Sequence, residues 1–187
     1  VYRYDPLTDA LTVVATDFVK PNGLCFSPDE SMLYIADSGE PRHIRVFPVT
    51  DQGQLGKDRV FTKLDQGGPD GIRCDIEGRI WSSSGDGVQV FAPDGHLLAR
   101  VLLPKGAANL CFGGTDGRTL FITAREGLYA VRTQTRDAAD RRVWLSQKDH
   151  PVTSDWEPLF DANLSNALAP EGVWTVEEGV MTASEDQ

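Results

Sequence analysis

"PNGLCFSPDESMLYIADS", Pro21 to Ser38, decides how this chain is read. An apolar run at Leu24 to Phe26 passes through an acidic, serine-flanked turn into a second run, Met32 to Ala36. Short runs containing aromatic and β-branched residues, bounded by turn formers, read as strands. The pattern recurs in "PDGIRCDIEGRIWSSS" from Pro69 and in "AANLCFGGTDGRTLFITA" from Ala107. A third strand follows each segment ("IRVFPV", "VQVFAP", "LYAVRT"), and a fourth follows the first two ("RVFTKL", "LLARVLLP"). The segment heads lie 48 and 38 residues apart. Four strands per unit at this spacing is the period of β-propeller blades. An immunoglobulin-like sandwich is the competing all-β architecture, but it does not account for the aligned turn chemistry at each head. Nothing before Arg132 carries a helical period, so residues 1–132 read as all-β.

Composition narrows the function class. The chain has 187 residues, 40% hydrophobic and 25% charged, with a net charge of −10. Such a charge argues against nucleic acid as a partner, because phosphate recognition needs a basic face. It is compatible with cation binding. No apolar run approaches the length of a membrane-spanning helix. The chain opens at Val1 inside strand-like sequence and stops at Gln187 without closing a pattern, so we read it as part of a longer protein, which leaves the compartment open. Cys25, Cys74 and Cys111 form no C-x-x-C pair and sit in apolar runs, so three small buried hydrophobes are expected. His43, His96 and His150 share no spacing and sit in polar surroundings, which places them at the surface rather than on a metal. A G-x-S-x-G nucleophile elbow and a glycine-rich phosphate loop are both missing from the sequence.

Aligning the segments places Asn22, Asp70 and Ala108 at one address, just before the first strand of a blade. Pro69-Asp70-Gly71 is on its face ordinary turn chemistry, with Pro presetting φ and Gly accepting a positive one. The shared address adds something. The first strand of a propeller blade is its innermost, so Asn22 and Asp70 should converge from neighbouring blades on the channel mouth. An amide oxygen and a carboxylate together suit a hard cation such as Ca²⁺. Asp37, at the end of "YIAD", is read as a turn cap, and "PDGH" and "TDGRT" as hairpin turns with Gly95 and Gly117 at positive φ.

These motifs, in this order, resemble the senescence-marker-protein/gluconolactonase/luciferin-regenerating-enzyme-like family over residues 1–132. The resemblance implies the C-terminal part of a six-bladed β-propeller, incomplete at its N-terminal side, that hydrolyses sugar lactones or related esters with one divalent metal. It implies that Asn22 is a metal ligand, and that Asp70 is both a metal ligand and the catalytic general base. The metal would be Ca²⁺, with Zn²⁺, Mg²⁺ or Mn²⁺ as alternatives, and the partner a small sugar lactone. The family's first metal-ligating Glu belongs to earlier blades, so these residues alone are expected to be inactive. The rivals are a non-catalytic sugar-binding or interaction propeller, and a glycoside-processing enzyme with its chemistry further along the chain.

Residues 133–154 are charged and polar and read as a linker. Residues 155–187, with "EPLFDANLSNAL" and "GVWTVEEGVMTASEDQ", resemble the opening of the 3-keto-disaccharide hydrolase domain family. That resemblance implies the first strands of a concanavalin-like jelly roll. Trp156, Phe160 and Trp174 are expected to be its core anchors. A role in sugar processing is compatible with a periplasmic or secreted protein.

Overall fold

The computed structural model describes residues 1–139, 174–177 and 180–183. Among them there is no helix, and hence none that could cross a membrane. Val1–Asp140 packs as one compact unit of antiparallel sheets. The first is the hairpin β1 (Tyr2–Asp5) with β2 (Ala10–Val13). A four-stranded sheet follows in the order β3 (Pro21–Phe26), β4 (Met32–Asp37), β5 (His43–Pro48), β6 (Arg59–Lys63). The next four-stranded sheet runs β7 (Ile72–Cys74), β8 (Ile80–Ser84), β9 (Gly87–Phe91), β10 (Leu97–Leu102). A three-stranded sheet closes the series with β11 (Asn109–Gly113), β12 (Thr119–Ala124) and β13 (Gly127–Arg132). Each is a meander in which every strand pairs with its sequence neighbour, the arrangement expected of a propeller blade.

The segment alignment holds in the hydrogen-bond register. Leu24 faces Ile35, Ile72 faces Ser82, and Leu110 faces Ile122, at the same step of each sheet. The first strands are also spatial neighbours, with β3 beside β7 and β7 beside β11. Facing sheets bury their apolar sides against one another. Tyr34, Ile44 and Val46 of the first four-stranded sheet meet Ile72, Ile80 and Phe91 of the second. Leu110, Leu120 and Ile122 of the last sheet form a second cluster with Val88. Edge-on aromatic pairs bridge these interfaces, Phe61 with Phe91 at 6.5 Å and Trp81 with Phe112 at 5.5 Å between centroids. The middle strands of the two four-stranded sheets are therefore largely buried, and β9 is buried along its whole length. This explains why β4 reads as a continuous apolar run, Met32 to Ala36, instead of an alternating one.

Several local expectations can be compared with the structure. Gly95 and Gly117 do adopt positive φ, 96° and 67°, in their hairpin turns. Of the cysteines, Cys74 is buried and Cys25 partly so, and burial pushes the Cys74 thiol up to about 12. Cys111 departs from the expectation and is exposed, because it lies on the outer face of the last described sheet, where no further sheet among the described residues covers it. His96 is exposed, whereas His43 is half-buried at the start of β5, opposite Asp37, and His150 lies outside the described residues.

The first residues of the stretch read as a linker turn back onto the second four-stranded sheet. Ile76 N–H donates to Arg136 O at 3.0 Å, and Ala138 N–H donates to Cys74 O at 2.8 Å. Thr135 is buried there and its hydroxyl donates to Glu77. The reading of residues 155–187 lies outside the described residues apart from one hairpin. That hairpin is β14 (Trp174–Glu177) paired with β15 (Val180–Ala183), where strand sequence was expected.

Candidate active site

Asn22 and Asp70 line one cleft of about 560 Å³ at the ends of the innermost strands. That size lies within the range of small-molecule sites. The cleft repeats the logic of the sheets: each wall residue belongs to one of a few addresses, copied from sheet to sheet. Asn22, Asp70 and Ala108 occupy one, and Lys20, Gly68 and Gly106 another. Ser38, Gly85 and Arg125, just past the second strands, form a third.

What brings the two candidate ligands together is a serine. Ser38 Oγ–H donates to Pro69 O at 2.5 Å, across to the next sheet. The hydroxyl proton is thereby spent, so toward Asn22 the oxygen acts as an acceptor. Asn22 Nδ2 donates to it at 3.0 Å. This orients the amide and leaves Asn22 Oδ1 available to another partner. Asp70 is held by its backbone, with its N–H donating to Ser83 Oγ at 3.0 Å and its carbonyl accepting from Gly23 N–H at 3.0 Å. No group among the described residues donates a hydrogen bond to its carboxylate.

Pro69-Asp70-Gly71 is not the turn its composition indicates. Gly71 and Gly23 both keep ordinary negative φ. They are small because the next first strand runs against them. A Cβ on Gly23 would stand 2.3 Å from Asp70 O and 2.9 Å from Ile72 N. One on Gly71 would stand 2.8 Å from Asn109 Cα. The same contact is made twice, as Gly23 N–H to Asp70 O and Gly71 N–H to Ala108 O, at 3.0 and 2.9 Å. Glycine here permits close backbone approach, which sets how tightly the first strands converge on the cleft.

Asp37 is the cap that was expected, and more than that. It is buried and accepts from Val19 N–H, Lys20 N–H and Gly39 N–H at 2.8–3.0 Å. It thus pins the chain on both sides of the cleft wall, one step from Asn22. Burial pushes its carboxyl up, but the three N–H donors outweigh burial and hold its pKa below the ordinary 3.8. A carboxylate whose folded pKa is depressed stabilises the fold above its unfolded value, and that stability is lost as pH falls through the folded one. We therefore expect unfolding midpoints to drop below about pH 4, and Asp37→Ala to remove about 2–4 kcal/mol at neutral pH. Denaturant melts of both proteins from pH 7 to pH 2.5 check this; an unchanged midpoint for the variant at pH 7 would remove the cap role.

Two oxygen donors, an amide and a free carboxylate, fit a hard cation such as Ca²⁺. Among the described residues no three His, Cys, Asp or Glu side chains stand together as a metal cluster. Ca²⁺ takes six to eight oxygens, so Asn22 and Asp70 could supply only part of its shell. Ser38, Lys20 and Arg125 are cleft residues that the motif reading passed over. Each could have been found by asking which residues share an address across the repeat.

The profile of the SMP-30/Gluconolactonase/LRE-like region matches residues 1–126. The chain belongs to this family. A gluconolactonase of Zymomonas mobilis is 35% identical over 147 residues, 72% of this chain and 40% of the relative. A 6-deoxy-6-sulfogluconolactonase of Pseudomonas putida is 39% identical over 119 residues, 60% of this chain and 40% of the relative. Among solved structures, a gluconolactonase from Xanthomonas campestris is 40% identical with a TM-score of 0.65, covering 70% of this chain and 43% of that one. A calcium-binding regucalcin from Agrobacterium tumefaciens is 33% identical with a TM-score of 0.60, covering 66% and 44%. The chain thus spans about 40% of the length of these curated relatives.

Proposed function

We propose that this chain carries part of the active site of a metal-dependent sugar-lactone hydrolase. The observation that carries the reading is that Asn22, with its Oδ1 left available, and Asp70 line one cleft from equivalent addresses on adjacent sheets. The relatives named as gluconolactonases support it. In this proposal the sheets are consecutive blades of a six-bladed ring made of residues 1–132 and the remainder of the protein. Residues 133–139 pack back onto the second four-stranded sheet, and in this reading the stretch after them leads to a sugar-related domain that begins near residue 155.

Asp70 accepts a proton from a water molecule as the water oxygen attacks the lactone carbonyl carbon. The resulting tetrahedral centre collapses with cleavage of the ring C–O bond, and the proton held by Asp70 passes to the departing ring oxygen. The product is the open-chain hydroxy acid, so one water is consumed per lactone opened. Asn22 Oδ1 and Asp70 would hold the divalent cation, which as a Lewis acid would supply polarisation of the carbonyl. The first strands, locked by the Gly23 and Gly71 contacts, keep the two side chains in register without reorganisation on binding.

The test is hydrolysis of δ-gluconolactone by the full-length protein before and after chelation. We expect EDTA to abolish turnover and added Ca²⁺ to restore it, with Zn²⁺, Mg²⁺ and Mn²⁺ run as alternatives. An enzyme equally active after exhaustive chelation would exclude the metal-dependent reading. A protein that hydrolyses no sugar lactone with any of these ions would exclude the lactonase reading.

A further inference from the structure

The cleft contains two basic residues that hydrolysis as described above does not use. Lys20 lines it from the first four-stranded sheet and Arg125 from the last sheet, with Asp70 on the sheet between them. Neither forms an ion pair with an acidic side chain among the described residues. In a chain of net charge −10, four arginines, Arg45, Arg79, Arg100 and Arg132, are held by carboxylates, whereas Lys20 and Arg125 line one cleft without such a partner among the described residues.

The repeat makes the contrast sharper. At the address of Lys20 the other two sheets carry Gly68 and Gly106, and at the address of Arg125 the neighbouring sheet carries Gly85. Arg125 also adopts φ 55° in the two-residue turn between β12 and β13, a left-handed conformation that glycine takes without strain. An arginine therefore sits where its own backbone conformation favours glycine, while the other two sheets place Ser38 and Gly85 at this address, Gly85 with an ordinary negative φ. Between the two cations the wall is Gly67, Gly68, Gly85 and Gly106, which leaves the cleft open to a substituent.

We propose that Lys20 and Arg125 form an anion subsite that selects sugar lactones bearing a second, negatively charged group, a phosphate, sulfonate or carboxylate remote from the lactone carbonyl. This rests on the lactonase reading for its substrate frame. Charge-assisted hydrogen bonds from Lys and Arg to such a group are about twice as strong as neutral ones, and the guanidinium fork matches a tetrahedral or planar oxyanion.

The experiment compares two probes in the metal-loaded full-length protein, δ-gluconolactone and the same lactone carrying a 6-phosphate. The kcat/KM ratio of the phosphorylated to the neutral lactone is measured for the parent, Lys20→Met, Arg125→Gly and the double variant. We expect the ratio to fall about tenfold or more in the double variant and by a smaller factor in each single one. A ratio that changes less than about twofold in the double variant overturns the proposal. Arg125→Gly relieves the strained turn, so a loss of discrimination in that variant does not come from misfolding. A separate arm measures binding of 6-phosphogluconate and of gluconate by calorimetry. If the cations serve the product carboxylate instead, the double variant weakens both ligands equally, and the proposal fails. If neither lactone is hydrolysed, the lactonase reading fails, and a loss of 6-phosphogluconate binding in the double variant with gluconate unaffected still upholds the anion subsite.

Discussion

Asp70→Asn is expected to lower kcat for lactone hydrolysis by about 10²–10⁴-fold, the usual contribution of a positioned general base. The variant keeps an oxygen that can face a cation, and it keeps the backbone bonds that place residue 70, since both run through its N–H and carbonyl. What it loses is the ability to accept a proton. Metal affinity should therefore fall far less than turnover, because one carbonyl oxygen replaces a carboxylate oxygen. Steady-state kinetics at saturating metal, with calcium titrations alongside, separate the two effects. Near-normal kcat in the variant would remove Asp70 from the general-base role. A collapse of metal binding that accounts for all of the lost turnover would make it a ligand only.

Gly23→Ala should have the largest effect on the fold. The added Cβ would meet Asp70 O at 2.3 Å and Ile72 N at 2.9 Å, both backbone atoms that no rotamer change can move aside. Overpacking of this kind costs about 1–3 kcal/mol when neighbours can shift, and here two hydrogen-bonded strands must separate to relieve it. We expect a loss of at least about 3 kcal/mol, with activity falling further than stability, because relief moves Asp70 itself. Thermal melts and hydrolysis assays of the full-length protein check both. A variant with wild-type stability would show that the inner strands are not in close contact at this step.

How much of this was legible beforehand can be followed through individual residues. Leu24, Ile72 and Leu110 were aligned from sequence, and the register bears the alignment out, because each opens the same strand–turn–strand unit. Gly95 and Gly117 were readable because a hairpin turn is a local object, set by four residues. Asn22 and Asp70 were placed at one address by the same alignment, and they share one cleft. Ser38 was passed over. Its role depends on Pro69, 31 residues away, and no local pattern announces a hydroxyl that donates to one sheet while accepting from its own.

The division follows range. Sequence by itself determined that this is an all-β chain of repeated meanders with an amide and a carboxylate at equivalent positions, because strand patterning and turn chemistry act over a few residues. It also pointed to the family, through three motifs in order. Only the tertiary structure decided why Gly23 and Gly71 must be glycine, and the cause is a neighbouring backbone rather than their own φ. The exposure of Cys111, which shares its address with the partly buried Cys25, was decided there too, by whether another described sheet covers its face. The same holds for the gathering of Lys20, Arg125 and Asp70 around one cavity. Which faces are covered and which side chains meet depends on how closely successive sheets approach, a distance set by packing between segments far apart in the chain.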